Sequence, residues 1–299
     1  MRRARLSNGD LFHAPAMLAP IGGLMPLVVT FYDMYFLREP DAFPFWQTHV
    51  MRQFIPKILR RADRIIAISH FTKSEIGHFF PEINPDKIHV TWLGIDSSFR
   101  VRDNEDCRRS IRHKYSLTRP FILSVGTLEP RKNLVRLLKA YAKIKDRIDS
   151  DLLLVGGVGW KSGDLPRLIG DLGLRSRVRM LGYIPKEDLC ILYNLADLFV
   201  YPSLYEGFGL PPLEAMASGC CVLTSQGSAI EEIMGPSAVL LNPFDVDDIA
   251  DKMITLLLDP SMRARLSQMG LTRSHEFSWE RCVRETATIY KNLLSQKDS

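Results

Sequence analysis

Leu198-Phe199-Val200-Tyr201-Pro202-Ser203-Leu204-Tyr205-Glu206-Gly207-Phe208-Gly209-Leu210-Pro211-Pro212-Leu213-Glu214-Ala215 starts as an apolar run, turns through two glycines and opens a helix with two prolines. Four consecutive apolar residues without polar alternation describe a strand buried on both faces, as a parallel sheet requires. Glycine admits a positive φ and a close approach to a ligand. Proline suits the first turn of a helix because its missing N–H would have no partner there. Strand, glycine turn and helix together make the repeating unit of an α/β fold. Further strands are predicted at Leu27–Phe31, Arg64–Ile68, Ile88–Trp92, Phe121–Val125, Leu152–Val155, Val178–Leu181, Cys221–Thr224 and Val239–Leu241, with a short one at Leu11–His13. Helical patterns fall between them at Leu134–Ile148, Lys186–Leu195 and Val246–Leu258. The fold class is α/β with parallel sheets.

A length of 299 residues suggests two domains. The boundary is expected in the charged stretch between Gly94 and Pro120, giving domains at 1–113 and 114–276, with 277–299 as a terminal helix. Six strands follow Phe121 and three or four precede it, whereas a doubly wound half has about six. The first domain is therefore expected to be short at its N-terminal end. Apolar residues at 46% and charged residues at 24% exclude disorder, collagen and coiled coil. The net charge is +5, and residues 1–120 carry 18 basic against 12 acidic side chains. That surplus points to an anionic partner or surface, though not to nucleic acid in particular. Five cysteines without C-x-x-C spacing argue against disulfides and structural zinc, and for a reducing, cytoplasmic setting. Leu11 to Tyr32 lacks charge, but Pro15, Pro20, Pro26, Gly22 and Gly23 would break a spanning helix, so strand, loop and strand are expected. The basic start Met1–Arg5 resembles a signal segment but is interrupted by Asn8, Gly9 and Asp10.

The chemistry gathers in two segments. Amides of Gly207 to Leu210, just before a helix at the C-terminal edge of a parallel sheet, make an anion site. Glu206 and Glu214 bracket it, and carboxylates accept hydrogen bonds from hydroxyls, so the set suits a sugar joined to a phosphate. The second segment is Gly126-Thr127-Leu128-Glu129-Pro130-Arg131-Lys132-Asn133, directly after a predicted strand. Adjacent cations at a helix start go against the helix dipole and so call for an anion. A departing nucleoside diphosphate gains negative charge that Arg131 and Lys132 would stabilise directly.

Together these segments resemble the retaining glycosyltransferases of family 4, whose GT-B fold has two facing Rossmann-like domains. The likeness extends over Leu27–Pro40, Ala62–Phe71, Trp92–Phe99, Val158–Lys161 and Phe277-Ser278-Trp279-Glu280, from about Asp10 onward. It implies a hexosyltransferase, with mannose as a candidate sugar, that uses a GDP- or UDP-linked donor and a glycan or lipid-linked acceptor and needs no metal or other cofactor. Arg131 and Lys132 would hold the diphosphate, and Glu206 the hydroxyls of the donor sugar. Gly126, Thr127, Gly207, Phe208, Gly209 and Leu210 would line the donor, Glu214 would meet the ribose, and the base would sit near Tyr183. Two departures from the family pattern stand out. Tyr32-Asp33 replaces the usual His-Asp beside the sugar, and the leading strand with its glycine-rich loop has no counterpart. They leave a second expectation, a shortened non-catalytic homologue that binds nucleotide or serves as a partner subunit.

Other patterns carry less. Asp245-Val246-Asp247 and Asp149-Ser150-Asp151 have Asp-x-Asp spacing, but the first opens a helix and the second sits in a turn, so no metal site is expected. Gly156-Gly157-Val158-Gly159-Trp160-Lys161-Ser162 misses P-loop spacing because Trp160 stands where the second glycine belongs. The basic helical segment Met51–Arg64 is of the kind that can rest on an anionic membrane surface.

Overall fold

The computed structural model describes residues 9–159 and 164–296. The basic start Met1–Arg5 and the Trp160-Lys161-Ser162 end of the P-loop-like segment lie outside the described residues. The chain forms two compact units, Met1–Gly94 with Ser278–Ser299, and Ile95–Phe277.

In the first unit, β1 (Phe12–Ala14), β2 (Leu27–Phe31), β3 (Arg64–Ala67) and β4 (Ile88–Val90) form a parallel sheet in that order. Every residue of β2 is buried, as its unbroken apolar run requires. Its side chains alternate between two cores. Leu27, Val29 and Phe31 pack with Ile55, Ile58 and Leu59 of helix Phe45–Arg61. Val28 packs with Ile66 against Ile289 and Leu293 of helix Trp279–Ser295. The charge-free stretch is thus strand, loop and strand, and no helix among the described residues is long and apolar enough to cross a membrane.

The second unit has six parallel strands: β5 (Phe121–Val125), β6 (Asp151–Val155), β7 (Val178–Gly182), β8 (Leu198–Tyr201), β9 (Val222–Ser225) and β10 (Val239–Leu241). Their order is β10-β9-β8-β5-β6-β7. The chain winds outward from β5 to β7, returns to β8 beside β5, and winds outward the other way. This is the Rossmann order, whose reversal point lies between β5 and β8. Helix Leu134–Ile144 buries Leu134, Leu137, Leu138, Tyr141 and Ile144, a spacing of three and four that gives one apolar face.

The division at Gly94–Ile95 differs from the expected one at residue 113, and the reason is physical. The charged stretch is not a linker but an amphipathic helix, Glu105–Lys114, capped by the Asn104 side chain. It is fastened to helix Lys186–Leu195, because Lys114 Nζ and Tyr115 OH both donate to Asp188 Oδ2, at 2.6 and 2.5 Å. Upstream of it, Asn194 Oδ1 accepts from the Arg102 amide at 2.7 Å. The basic helix also differs from expectation: it starts at Phe45 rather than Met51, and Arg64 already belongs to β3.

Candidate active site

The loops after β5 and β8 leave adjacent strands at the reversal point, where α/β sheets bind ligands. After β5 the chain passes Gly126 and makes a 3-10 turn at Pro130–Lys132. Asn133 follows with φ of 59°, and helix Leu134–Ile144 begins only then. The two cations sit on that separate turn, immediately before the helix start at Leu134 that the sequence predicts. The unusual Asn133 backbone is held by its own carboxamide, which donates to Pro202 O at 3.0 Å and Pro243 O at 2.6 Å. The Leu204 amide donates to Arg131 O at 2.8 Å, which ties the loop after β8 to the cation turn.

Glu206 is the centre of this site. Its Oε1 accepts from Lys132 Nζ at 2.7 Å, Tyr201 OH at 2.9 Å and Ser203 Oγ at 2.7 Å. Its Oε2 accepts from Arg131 Nη1 at 2.9 Å. Lys132 Nζ donates a further bond to Tyr201 OH at 2.5 Å, and Arg131 Nε is paired with Glu129 at 2.9 Å. The side chains of Lys132 and Glu206 are 11% and 9% exposed, so the charges stand in a poorly hydrated place. Burial pushes the Glu206 carboxyl up, but Lys132 and Arg131 outweigh it and hold the group below the ordinary glutamate range. Burial likewise opposes the charge on Arg131, and Glu206 more than restores it. Glu206 and Glu129 together balance the charges of Arg131 and Lys132, so the sheet edge offers an anionic ligand pre-positioned N–H donors rather than a surplus of positive charge.

The second glutamate is held separately. Gly209 takes φ of 96°, a left-handed conformation suited to glycine, and starts helix Leu210–Ala217 with Pro211 and Pro212 in its first turn. Glu214 on that helix accepts from Tyr193 OH at 3.0 Å. Burial pushes its carboxyl up to about 6. A folded-state value above the unfolded one means that stability is lost as pH rises from the ordinary glutamate range through about 6. Glu214→Gln, which can still accept from Tyr193, is therefore expected to raise stability by roughly 1–2 kcal/mol at pH 8 and to change little at pH 4. Urea unfolding at the two pH values checks this.

Gly126 lies against the stem of Lys132, with room for a Cβ only 3.2 Å from Lys132 Cε, and Thr127 is exposed in the same loop. Gly207 is buried, Leu210 is half-buried, and the Phe208 ring turns inward onto Phe277, so Phe208 can offer a ligand only its backbone. Tyr183 follows β7, two strands from the reversal point, and is 85% exposed. Tyr32 and Asp33 lie in the first unit. There Tyr32 O accepts from Thr72 Oγ1 at 3.2 Å and Asp33 Oδ1 from the Tyr35 amide at 3.0 Å. Tyr201, Ser203 and Glu129 were not foreseen as site residues. Tyr201 ends β8 and Ser203 lies two residues beyond it, and both hydroxyls donate to the same Glu206 oxygen. The Asp-x-Asp aspartates are otherwise employed, Asp245 in capping helix Val246–Leu258 and Asp151 in pairing with Arg177 at 2.9 Å.

Residues 108–273 match the family model for glycosyl transferases group 1, and residues 3–99 match that for glycosyltransferase family 4. The chain belongs to glycosyltransferase family 4. The transferase is 36% identical over 286 residues to the O-antigen chain mannosyltransferase B of Escherichia coli, covering 95% of this chain and 74% of that one. It is 37% identical over 239 residues to the serotype-specific mannosyltransferase WbdA of Escherichia coli, spanning 78% of this chain but 29% of that longer protein. Among solved structures, sucrose-phosphate synthase from Thermosynechococcus elongatus superposes with a TM-score of 0.79 at 25% identity, over 91% of this chain and 69% of that one. HepE from Anabaena, solved with UDP and glucose, gives 0.75 at 22% identity over 91% and 72%. The fold of the transferase is thus GT-B.

Proposed function

We propose that the enzyme transfers a mannosyl residue, with retained configuration, from a nucleoside-diphosphate sugar to a glycan acceptor. The observation that carries this reading is the convergence of Arg131 and Lys132 on buried Glu206 at the sheet's reversal point. Two of the three Lys132 Nζ donors are taken by Glu206 and Tyr201, and the third serves a phosphate oxygen. When the bond from sugar to diphosphate breaks, negative charge develops on the leaving oxygens, and these pre-positioned cations stabilise it without a metal ion. Glu206 fixes both cations before the donor arrives, so little reorganisation accompanies the step. Amides of Gly207 to Leu210 meet the donor, and Glu214 accepts from the ribose hydroxyls. Mannose is favoured as the sugar because the similar Escherichia coli proteins are named as mannosyltransferases.

The test is release of nucleoside diphosphate from GDP-mannose and from UDP-glucose, with a glycan acceptor, in the presence and absence of EDTA. Turnover of the mannosyl donor in EDTA is expected, and Lys132→Ala should lower it by on the order of 10²–10³. Loss of turnover in EDTA, or an undiminished Lys132→Ala, would sink the metal-free reading.

A further inference from the structure

Helix Phe45–Arg61 buries one face on the sheet through Thr48, Ile55, Ile58 and Leu59. Its opposite face is unusual for a solvated helix. Phe45 is 87% exposed and Trp46 68% exposed, with Val50 beside Trp46 one turn on. Further along that face come Arg52, Lys57 and Arg60, and the helix contains no Asp or Glu at all. Arg60 is paired with Glu82 and Arg61 with Asp63, whereas Arg52 and Lys57 have no ion pair among the described residues. The loop between β1 and β2 lies on the same layer: its Met17 and Ala19 pack on the core that the helix covers. Arg61 pins that loop by donating to Gly23 O and Met25 O, at 3.0 and 2.6 Å. Leu18 and Leu24 project from it, 66% and 98% exposed. By sequence this unit holds fifteen cationic against eleven anionic side chains.

We propose that this face docks the enzyme on an anionic bilayer. Exposed single apolar residues are ordinary, but two adjacent aromatic rings with two projecting leucines on one layer are not. Trp and Phe settle at the depth of lipid headgroups, where the ring is apolar and the indole N–H stays wet. Unpaired Arg and Lys on long apolar stems then reach lipid phosphates. The absence of acidic residues from the helix removes the repulsion an anionic surface would otherwise meet. A bilayer fits better than a protein partner because the exposed rings and leucines accompany cations on a helix that carries no acidic side chain.

The experiment is co-sedimentation of the full chain with vesicles of phosphatidylcholine alone and of phosphatidylcholine mixed with phosphatidylglycerol, at low and high salt. Binding to the mixed vesicles is expected, weakening as salt screens the cations. Arg52→Glu with Lys57→Glu should lower the partition coefficient by about tenfold or more. Phe45→Ala with Trp46→Ala should also lower it, and should abolish any residual binding at high salt. Both double variants change only exposed side chains, and unaltered circular dichroism and nucleoside diphosphate release confirm that they are folded. Failure of the wild type to bind mixed vesicles overturns the proposal. So does equal binding to both vesicle types, or a charge-reversed variant that binds as the wild type does. Retention of a protein partner by this face, with no vesicle binding, would likewise overturn it.

Discussion

Glu206→Gln is expected to destabilise the second unit by about 3–5 kcal/mol and to lower turnover by on the order of 10²–10³. The carboxylate accepts four hydrogen bonds, three on Oε1 and one on Oε2, and two of the donors are cations. A glutamine of the same shape must turn an NH₂ group toward either Arg131 or the Lys132–Tyr201–Ser203 side, so a donor faces donors. The substitution also removes the negative charge that the two cations share, leaving Glu129 on Arg131 alone. Breaking a buried pair from one side is costly for that reason. The catalytic loss has the same origin, since Arg131 and Lys132 would no longer be held where the leaving diphosphate needs them. Thermal or urea unfolding and single-turnover kinetics give the two readings. The pH dependence supplies a further check. Because the Glu206 carboxyl is held below the ordinary glutamate range, its contribution is present above that range and is lost as pH falls through the folded-state value. Wild type should therefore lose this share of stability in acid, and Glu206→Gln should not. Equal stability of wild type and variant at neutral pH would mean that the network does not anchor the site.

Gly156→Ala should be nearly as damaging, although residue 156 bears no chemistry. Gly156 has φ of 144°, and a Cβ there would stand 2.0 Å from the carbonyl oxygen of Gly126. That contact is with backbone, so no side chain can swing away. The two glycines end neighbouring strands: the Gly126 amide donates to Val155 O at 2.9 Å, and the Gly156 amide to Gly182 O at 2.8 Å. Relief requires the Gly126 loop to move, and with it the Lys132 stem that lies against it. Strain and overpacking together are expected to cost about 3 kcal/mol or more. Affinity for nucleoside diphosphate should fall along with the unfolding midpoint. Gly157→Ala is the control. Its Cβ would meet nothing within 4 Å and its φ is not in the positive range, so neither property should change appreciably. Matching behaviour of the two variants would refute the steric account.

The strands and the fold class were legible because buried parallel strands leave unbroken apolar runs. Val239–Leu241 was read to the residue, and β9 within one residue. The Arg131–Lys132 and Glu206 segments were legible because their residue types are costly without a ligand or a partner. The partners were harder to see. Glu206 binds both cations from some 75 positions away in sequence, and spacing alone does not show that strands β5 and β8 are neighbours. Strand order is set by how the helices between strands pack, which is a long-range property. Residues 95–113 were misassigned because a short, strongly charged helix looks like a linker until its apolar Ile111 and its ties to Asp188 are seen. The start of helix Phe45–Arg61 was missed because exposed Phe45 and Trp46 break the periodicity that marks a helix.

The first unit is assembled from two stretches of chain, with all of Ile95–Phe277 made between them. Val28 and Ile66 find their apolar cover in Ile289 and Leu293, near the other end of the sequence. During synthesis the earlier part emerges first, yet one face of its sheet stays bare until the ribosome has finished the second unit. The second unit, built from one continuous segment, can fold while the first still waits. The sheet of the first unit therefore gains its cover of Ile289 and Leu293 only after the whole of the second unit has been made.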